Sequence, residues 1–416
     1  MPRSLRSDDR SDSKILAEQL PPSASAWLTS GTRGIGAASF LADLGHEIPT
    51  ALLPSLLTIT LGAPAAILGL IEGLADGSAG VARLAGGALS DDPARRRSIA
   101  VGGYSTTAVL SALIGVAVAA WQVAVLRIAA WTARGLRVPA RNALLADVVP
   151  AAAYGRAYGF ERAMDNLGAI GGPVLALGLV ALVGVRTAIV ASVIPGLLAT
   201  GAILYAIHHA PRLAVRERQP VRLRVRPILR GTLGRLMVGI TGFEMGNVAA
   251  TLLILRATDL FQSGHSHTVA TQLALGLYVL YNVAATLVSI PAGRIGDARG
   301  TLAVLMAGVV CFLLAYLGLA TGNLVLLVGA FLLAGVAIGC VETAEHASVA
   351  SLAPPDLRGT AFGILAGVQS FGNLAASAIA GWLWTAVSAR AAFLYLAAWM
   401  VMALAGFVTL RVPRST

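Results

Sequence analysis

Long apolar stretches separated by short polar segments make up the sequence from about residue 35 to residue 410. A helix of about 20 apolar residues spans the hydrocarbon core of a bilayer, so the pattern predicts twelve membrane-spanning helices. In chain order they cover about 35–60, 64–89, 98–119, 122–146, 157–183, 187–208, 234–260, 271–293, 301–320, 323–350, 360–385 and 389–410. We therefore expect an all-α integral membrane protein with two sets of six helices.

Two short motifs occur once in each set of helices. The segment Gly87–Arg97, between predicted helices 2 and 3, returns as Gly293–Gly300, with a glycine, a branched apolar residue and an aspartate at two-residue intervals. The segment Pro150–Phe160 returns as Pro354–Ile364. The offsets are 206 residues (293 − 87) and 204 residues (354 − 150). Their agreement indicates two similar halves, because the repeat period is half the protein.

Composition agrees with a membrane location. The 416 residues are 56% hydrophobic and 12% charged, whereas about 25% of an average soluble domain is charged. So little polar surface could not cover a water-soluble globule. The net charge of +11 is spread over short segments between the apolar runs instead of forming one patch, which argues against a nucleic-acid partner.

The arginines between the apolar runs predict the orientation of the chain. One set of connections contains Arg95, Arg96, Arg97, Arg156, Arg294, Arg299, Arg358 and seven further arginines between residues 212 and 230. The opposite set has little beyond Arg186 and Arg390. Because positive charge stays on the cytoplasmic side, we expect both termini in the cytoplasm of a bacterium, with the helices in its inner membrane.

These boundaries divide the chain into five parts. They are a disordered cytoplasmic tail (1–33), an N-terminal six-helix bundle (34–208), a basic cytoplasmic linker (209–231), a C-terminal six-helix bundle (232–410) and a short cytoplasmic tail (411–416). The linker also has the charge to contact anionic lipid headgroups.

Charged residues inside the predicted helices are the candidate chemistry, because each costs about 2.5–3.5 kcal/mol or more in a bilayer interior. Burial favours the neutral form of a carboxyl group and a nearby arginine favours the charged form. A carboxyl group that alternates between these environments can carry protons. The candidates for proton coupling are Asp43, Glu47, Glu72, Asp76, Arg127 and Arg134. Glu47 and Asp76 are the favoured carriers, with Arg127 or Arg134 as partner; permanent ion pairs between helices are the alternative.

Other chemistry has little support in the sequence. Nothing reads Gly-x-x-x-x-Gly-Lys-Ser/Thr, so we expect the proton gradient, and neither ATP nor another cofactor, to supply the energy. Cys311 and Cys340 lie within apolar runs and lack the close spacing of a metal or redox pair. No Ser/His/Asp or metal-ligand constellation lies near a membrane face, which argues against an enzyme.

Taken together, the twelve helices, the basic central linker and the repeated Gly-x-[Leu/Ile]-x-Asp segment resemble the major facilitator superfamily. Three segments, Leu68–Asp76, Arg127–Asp147 and Gly155–Asp165, are similar to a prokaryotic branch of mostly uncharacterised, efflux-like members. The resemblance implies a monomer with two pseudo-symmetric six-helix bundles. It also implies alternating access to a central site that binds a small molecule.

The resemblance also implies a cytoplasmic gate. The family segment reads Gly-x-Leu-x-Asp-Arg-x-Gly-Arg-Arg, from which this chain departs at Asp92 and Ala94. In the family this segment holds the cytoplasmic side closed in the outward-open state. The residues assigned to the gate, including charged residues near the same end of helices 4 and 5, are Gly87, Asp91, Arg95, Arg96, Arg141, Glu161, Arg162, Asp165, Gly293 and Asp297.

Helices 1, 4, 7 and 10 line the central cavity in the family. The expected substrate contacts are Glu47, Arg134, Arg137, Glu244, Asn247, Asn282 and Gln369. The segment Gly168–Pro173 resembles an antiporter motif, so the favoured function is proton-driven export of a small drug-like compound or metabolite. The alternative is proton symport of a small anionic metabolite, because arginine suits carboxylate and phosphate groups. A receptor that no longer transports is a more distant alternative.

Overall fold

The computed structural model describes residues 27–210 and 224–409, and these residues form helices and connecting turns without a β-strand. The first half comprises α1 (Ser30–Ser55), α2 (Ala65–Leu89), α3 (Pro93–Leu113), α4 (Ala120–Val148), α5 (Tyr154–Ala191) and α6 (Val193–His208). The second half comprises α7a (Gly231–Glu244), α7b (Ala250–Phe261), α8 (His267–Arg299), α9 (Thr301–Thr321), α10 (Leu324–Leu352), α11 (Arg358–Ala386) and α12 (Ala389–Val408).

Smaller elements extend or interrupt these helices. A π-helical segment at Leu56–Thr60 continues α1, and one helical turn at Val225–Ile228 precedes α7a. Gly184 has φ 79° and separates the last turns of α5 from its main body. The predicted N-terminal tail, central linker and C-terminal tail fall mainly on residues 1–26, 211–223 and 410–416, which lie outside the described residues.

Seven helices in the described ranges are long and apolar enough to cross a membrane by length and composition alone. α1, α2 and α4 are not among them, and each contains at least three charged residues. α6, α7a and α7b are also not among the seven, because each is shorter than 18 residues. Counting α7a and α7b as one broken helix, the order and bounds of the described elements follow the predicted twelve.

The structure corrects two predicted boundaries. Helix 7, predicted as continuous over 234–260, breaks between Glu244 and Ala250. Side chains of α11 bind the freed backbone groups: Asn373 Nδ2 donates to the Asn247 carbonyl (2.8 Å), and Ser377 Oγ accepts from Ala249 N–H (3.0 Å). In addition, the predicted loop at Gly293–Arg299 is helical and forms the end of α8.

The two halves meet along α2 with α11 and along α5 with α8. Glycines bring the backbones together: a Cβ atom at Gly87 would lie 2.7 Å from both the Gly359 carbonyl oxygen and Gly363 Cα. Gly155 and Gly293 face each other in the same way at the equivalent contact. We call this end of the molecule, defined by Gly87, Gly155, Gly293 and Gly359, the closed end.

Toward the other end the halves separate. Gly69 and Gly73 lie on the face of α2 that contacts α11 at Gly80 and Gly87, because helical positions three, four and seven apart share a face. A Cβ atom at Gly69 or Gly73 would nevertheless meet no atom within 4 Å. The structure is therefore closed at one end and open toward the other.

Candidate functional site

Asp91 at the closed end binds the first turn of a helix in the opposite half. Its Oδ1 accepts from Thr360 N–H (2.8 Å) and its Oδ2 from the Thr360 hydroxyl (2.6 Å). Burial raises the pKa of the Asp91 carboxyl, and the two hydrogen bonds from Thr360 oppose that rise. A carboxylate at the first turn of a helix also interacts favourably with the helix dipole.

Asp297 makes the equivalent contact in the other direction. Its Oδ1 accepts from Gly155 N–H (2.6 Å), and its Oδ2 accepts from the N–H (3.1 Å) and Nε (2.8 Å) of Arg156. The two aspartates of the repeated motif thus cap α11 and α5, each across the boundary between the halves. This pseudo-symmetric pair agrees with the duplication read from the sequence.

The predicted gate arginines have different surroundings. Arg96 is buried in the first turns of α3, where it donates to the Ser90 carbonyl (2.8 Å) and pairs with Asp147. Arg95 lies nearer the surface and its Nε is 3.5 Å from Asp92 Oδ2. Asp92 also caps α3 by accepting from Ala94 N–H (2.9 Å). The helix cap gives Asp92, the departure from the family pattern, a structural role of its own.

Arg358 is a closed-end residue that the motif analysis did not identify. Its Nη1 is 3.5 Å from Asp147 Oδ1, and its Nη2 donates to the Tyr154 hydroxyl (2.8 Å). Asp147 therefore holds one arginine from each half, Arg96 and Arg358. Asp147 could have been noticed in the sequence, because it is an acidic residue just before the repeated segment that begins at Pro150.

We expect Asp91→Asn to weaken the closed end, because hydrogen bonds to a charged group contribute about 1.5–3 kcal/mol. The closed population should fall by about tenfold relative to the open one. The measurement is the distance between spin labels at Ala94→Cys and Asp356→Cys, two exposed sites on opposite halves.

Asp92→Asn is the matched control, because asparagine also caps helices and Asp92 stays within its own half. Adding Thr360→Val to Asp91→Asn should lower the closed population little further, because both substitutions remove the same contact between Asp91 and the Thr360 hydroxyl. Equal distance distributions for Asp91→Asn and the unmodified chain would contradict the role of Asp91.

A cluster of buried charged side chains lies between α1, α4 and α5, farther from the closed end than Asp91 and Asp297. Glu161 is completely enclosed and accepts from Arg141 (2.8 Å), Arg162 (2.7 Å) and the Ser39 hydroxyl (2.6 Å). Asp165 is 3.3 Å from each arginine. All four predicted charges therefore do come together.

Two contacts near this cluster reach the other half. Arg162 Nη1 is 3.8 Å from Glu342 Oε2 on α10. Arg83 of α2 donates to the Ser370 hydroxyl and to the Ala366 carbonyl (3.4 Å) on α11. Arg83 is not among the residues assigned to the gate from the sequence.

Asp43 of α1 and Arg134 of α4 form an ion pair within the first half. Arg134 Nη2 lies 3.5 Å from Asp43 Oδ1, and the Asp43 side chain is buried. His46, one turn along α1, places Nδ1 3.2 Å from Asp43 and Nε2 3.4 Å from Glu47. The histidine therefore links the two carboxylates of α1.

Arg127 and Trp131 organise the carboxylates of α2. Arg127 donates to Glu72 (3.0 Å) and to the Thr50 hydroxyl (3.1 Å), and its guanidinium lies 3.3 Å from the Trp131 ring centroid. The Trp131 Nε1 group donates to Asp76 (3.0 Å). Sequence reasoning missed Trp131, although it lies four residues after Arg127 and three before Arg134.

The structure thus differs from the expected pairing. Neither Glu47 nor Asp76 lies within ion-pair distance of a described arginine; His46 and Trp131 are their neighbours. The arginines of α4 have different surroundings, because Arg127 pairs with Glu72 whereas Arg137 lies against the Tyr104 ring. Of Arg127, Arg134 and Arg137, only Arg134 has a partly exposed side chain, at 26%.

The second half has fewer charged groups among its described residues. Glu244 is buried and accepts from Asn247 (2.9 Å), and Asn282 donates to the Tyr278 carbonyl (2.9 Å). Gln369 donates to Glu345 of α10 (2.8 Å), a fully buried residue that the site prediction omitted. Within the described ranges, no group of three or more His, Cys, Asp or Glu side chains is arranged to hold a metal ion.

Known proteins share this architecture. The structure matches that of the proton:xylose symporter XylE bound to 6-bromo-6-deoxy-D-glucose, with a TM-score of 0.70 and 17% sequence identity. The match covers 94% of this chain and 96% of that chain. The structure also matches the human organic anion transporter MFSD10 (TM-score 0.69, 16% identity, 93% and 100% coverage). A bacterial homologue of the iron transporter ferroportin in an outward-facing state gives TM-score 0.70 at 14% identity, covering 91% and 99%. At these identities the likeness concerns the fold.

Sequence relatives point to the same family. An uncharacterized MFS-type transporter of Methanocaldococcus jannaschii is 28% identical over 368 residues, which are 87% of this chain and 90% of the relative. An uncharacterized protein of Mycobacterium tuberculosis is 28% identical over 402 residues, covering 94% and 95%. The family model described as Major Facilitator Superfamily matches residues 35–280 and 236–416. The chain therefore belongs to the Major Facilitator Superfamily of membrane transporters.

Proposed function

We propose that this transporter is a proton-coupled antiporter that exports a small organic compound, with positively charged compounds as the favoured class. The observation that carries the proposal is the charge of the accessible surface in the first half. Glu47, Glu72 and Asp76 all have partly or largely exposed side chains, whereas Arg127 and Arg137 are buried. An acidic surface attracts cations and protons.

A shared set of carboxylates provides the coupling. A carboxyl group that holds a proton is neutral and attracts a cation weakly, whereas the ionised group attracts it strongly. Protons and a cationic substrate therefore compete for Glu47 and Asp76. Asp43 is the third candidate, because its proton would compete with the ion pair to Arg134, 3.5 Å away.

Alternating access supplies the directional step in this proposal. The arginine-rich connections Arg95–Arg97 and Arg358 belong to the closed end, so we infer that this end faces the cytoplasm of a bacterial inner membrane. Export would require Asp91 and Asp297 to release α11 and α5 so that this end opens. Rocking of two halves around a site at their boundary is the general mode of such folds.

Proton symport of a small anion is the second candidate. Arg134 favours it, because its guanidinium is 26% exposed and its distance of 3.5 Å to Asp43 leaves donors for another partner. Arginine binds carboxylate and phosphate groups in a planar, two-bonded geometry. In that case the substrate would take the place of Asp43, and the proton would neutralise Asp43.

Proteoliposomes with a trapped pH dye distinguish the two candidates. We expect organic cations, added one at a time, to dissipate an imposed proton gradient, with no dissipation in protein-free liposomes. The variant Arg390→Gln should dissipate the gradient as the unmodified chain does, because Arg390 is exposed and lies at the opposite end of the molecule from Gly359. Dissipation by anions alone, in the same direction as the proton, would overturn antiport and support symport.

A further inference from the structure

A small pocket lies inside the first half, enclosed by α1, α3, α4 and α6 and apart from the boundary between the halves. Its polar lining comes from His46, Tyr104, Thr107, Ser111, Arg137 and Ser192. It has room for one occupant about the size of a water molecule. We infer that this pocket binds one small anion of the halide class, with Arg137 as its principal contact.

The charge of Arg137 is the first argument. Arg137 is 4% exposed, and its guanidinium lies 3.9 Å from the centroid of the Tyr104 ring. No described carboxylate lies within ion-pair distance, because the neighbouring Asp43 pairs with Arg134 instead. A buried charge without a counter-ion in direct contact is costly. Arg134 and Arg141, on nearby turns of α4, add repulsion, and the more distant Asp43 offsets part of it.

The hydroxyl groups are the second argument. The side-chain oxygens of Tyr104, Ser111 and Ser192 are buried and have no hydrogen-bond partner among the described residues. An unsatisfied buried hydroxyl costs about 1–3 kcal/mol, so three beside one arginine imply a shared partner. All three can donate, and so can the guanidinium. A partner that accepts four hydrogen bonds and carries negative charge satisfies every one of these groups.

The rest of the lining is consistent with an anion. The Thr107 hydroxyl donates to the Gly103 carbonyl (2.7 Å), and His46 Nδ1 lies 2.8 Å from the Ala42 carbonyl oxygen. The remaining lining residues are Ala42, Gly45, Ala108 and Gly196. No carboxylate lines the pocket, and Arg137 makes it positively charged, which disfavours a metal cation. The small residues leave space without offering acceptors.

This inference changes the assignment of Arg137. The sequence placed it among the substrate contacts, but it lies between α3 and α4, against Tyr104. A bound anion would join α3, α4 and α6 through Ser111, Arg137 and Ser192. It would stabilise the first half as a unit in either direction of transport, so the inference does not depend on the proposed antiport.

The test is the melting temperature of the purified full chain in sodium bromide and in sodium gluconate at equal ionic strength. We expect the melting temperature to rise with the logarithm of bromide concentration, as for any ligand that binds only the folded state. Chloride should act similarly and sulfate should not, because the pocket admits one small ion. The double variant Ser111→Ala/Ser192→Ala should lose the bromide-dependent rise.

Ser105→Ala is the matched control on α3, because the Ser105 hydroxyl donates to backbone carbonyls of its own helix. It should keep the full bromide response. Arg137→Gln should abolish the bromide-dependent rise in melting temperature. If that variant fails to fold, the double serine variant and Tyr104→Phe test the same loss of the bromide response. Equal melting in bromide and gluconate for the unmodified chain, or an unchanged response in the double serine variant, would overturn the inference.

Discussion

Arg134→Gln is expected to abolish proton-coupled transport, lowering its rate by at least about a hundredfold. Arg134 lies 3.5 Å from Asp43, whose carboxyl group is buried. Removing the arginine leaves the buried Asp43 charge without its partner, which favours the protonated, neutral form of the carboxyl group. Asp43 would then hold its proton in both conformations. A carboxyl group that never releases its proton cannot couple proton flow to substrate movement.

Proteoliposomes measure this effect as substrate-dependent dissipation of a proton gradient. Asp76→Asn should also lose coupling, because it removes the exposed carboxylate held by Trp131. Both variants should insert and purify normally, since the remaining helix contacts are unchanged. Arg390→Gln is the control with the same chemical change at an exposed site. Normal pH-driven transport by Arg134→Gln would exclude the Asp43–Arg134 pair from the coupling mechanism.

Gly359→Val is expected to prevent the closed end from forming and to stop transport. A Cβ atom at Gly359 would lie 2.5 Å from the Gly87 carbonyl oxygen and 2.7 Å from Asp91 N. Both are backbone atoms, so relief requires the two halves to move apart. Overpacking a close contact costs about 1–3 kcal/mol, which lowers the closed population by about tenfold to hundredfold. Alternating access fails when one of its two states is lost.

Spin labels at Ala94→Cys and Asp356→Cys report this change as a longer distance across the closed end. The native Cys311 and Cys340 must first be replaced so that labelling is specific. Gly381→Val is the matched control on the same helix, because a Cβ atom there would meet nothing within 4 Å. If Gly359→Val kept the short distance and full transport, close approach of the backbones at this end would not be required for function.

The local pattern of the chain predicted the helices well. Hydrophobic length decides where a helix can span a bilayer, so α2, predicted at 64–89, is observed at Ala65–Leu89. The break in helix 7 was missed, because it depends on Asn373 and Ser377 of α11 to bind backbone groups that a break exposes. Those partners lie more than 120 residues away in the sequence.

The sequence by itself determined the twelve-helix pattern, the duplication and the presence of many charges within the helices. The repeat also identified Asp91 and Asp297, because a motif that recurs in both halves stands out without any structure. Only the tertiary structure decided which charges meet. Helical spacing states which residues share a face, but the packing of α1, α2 and α3 against α4 decides that Arg134 pairs with Asp43, that Trp131 holds Asp76 and that Arg137 faces Tyr104.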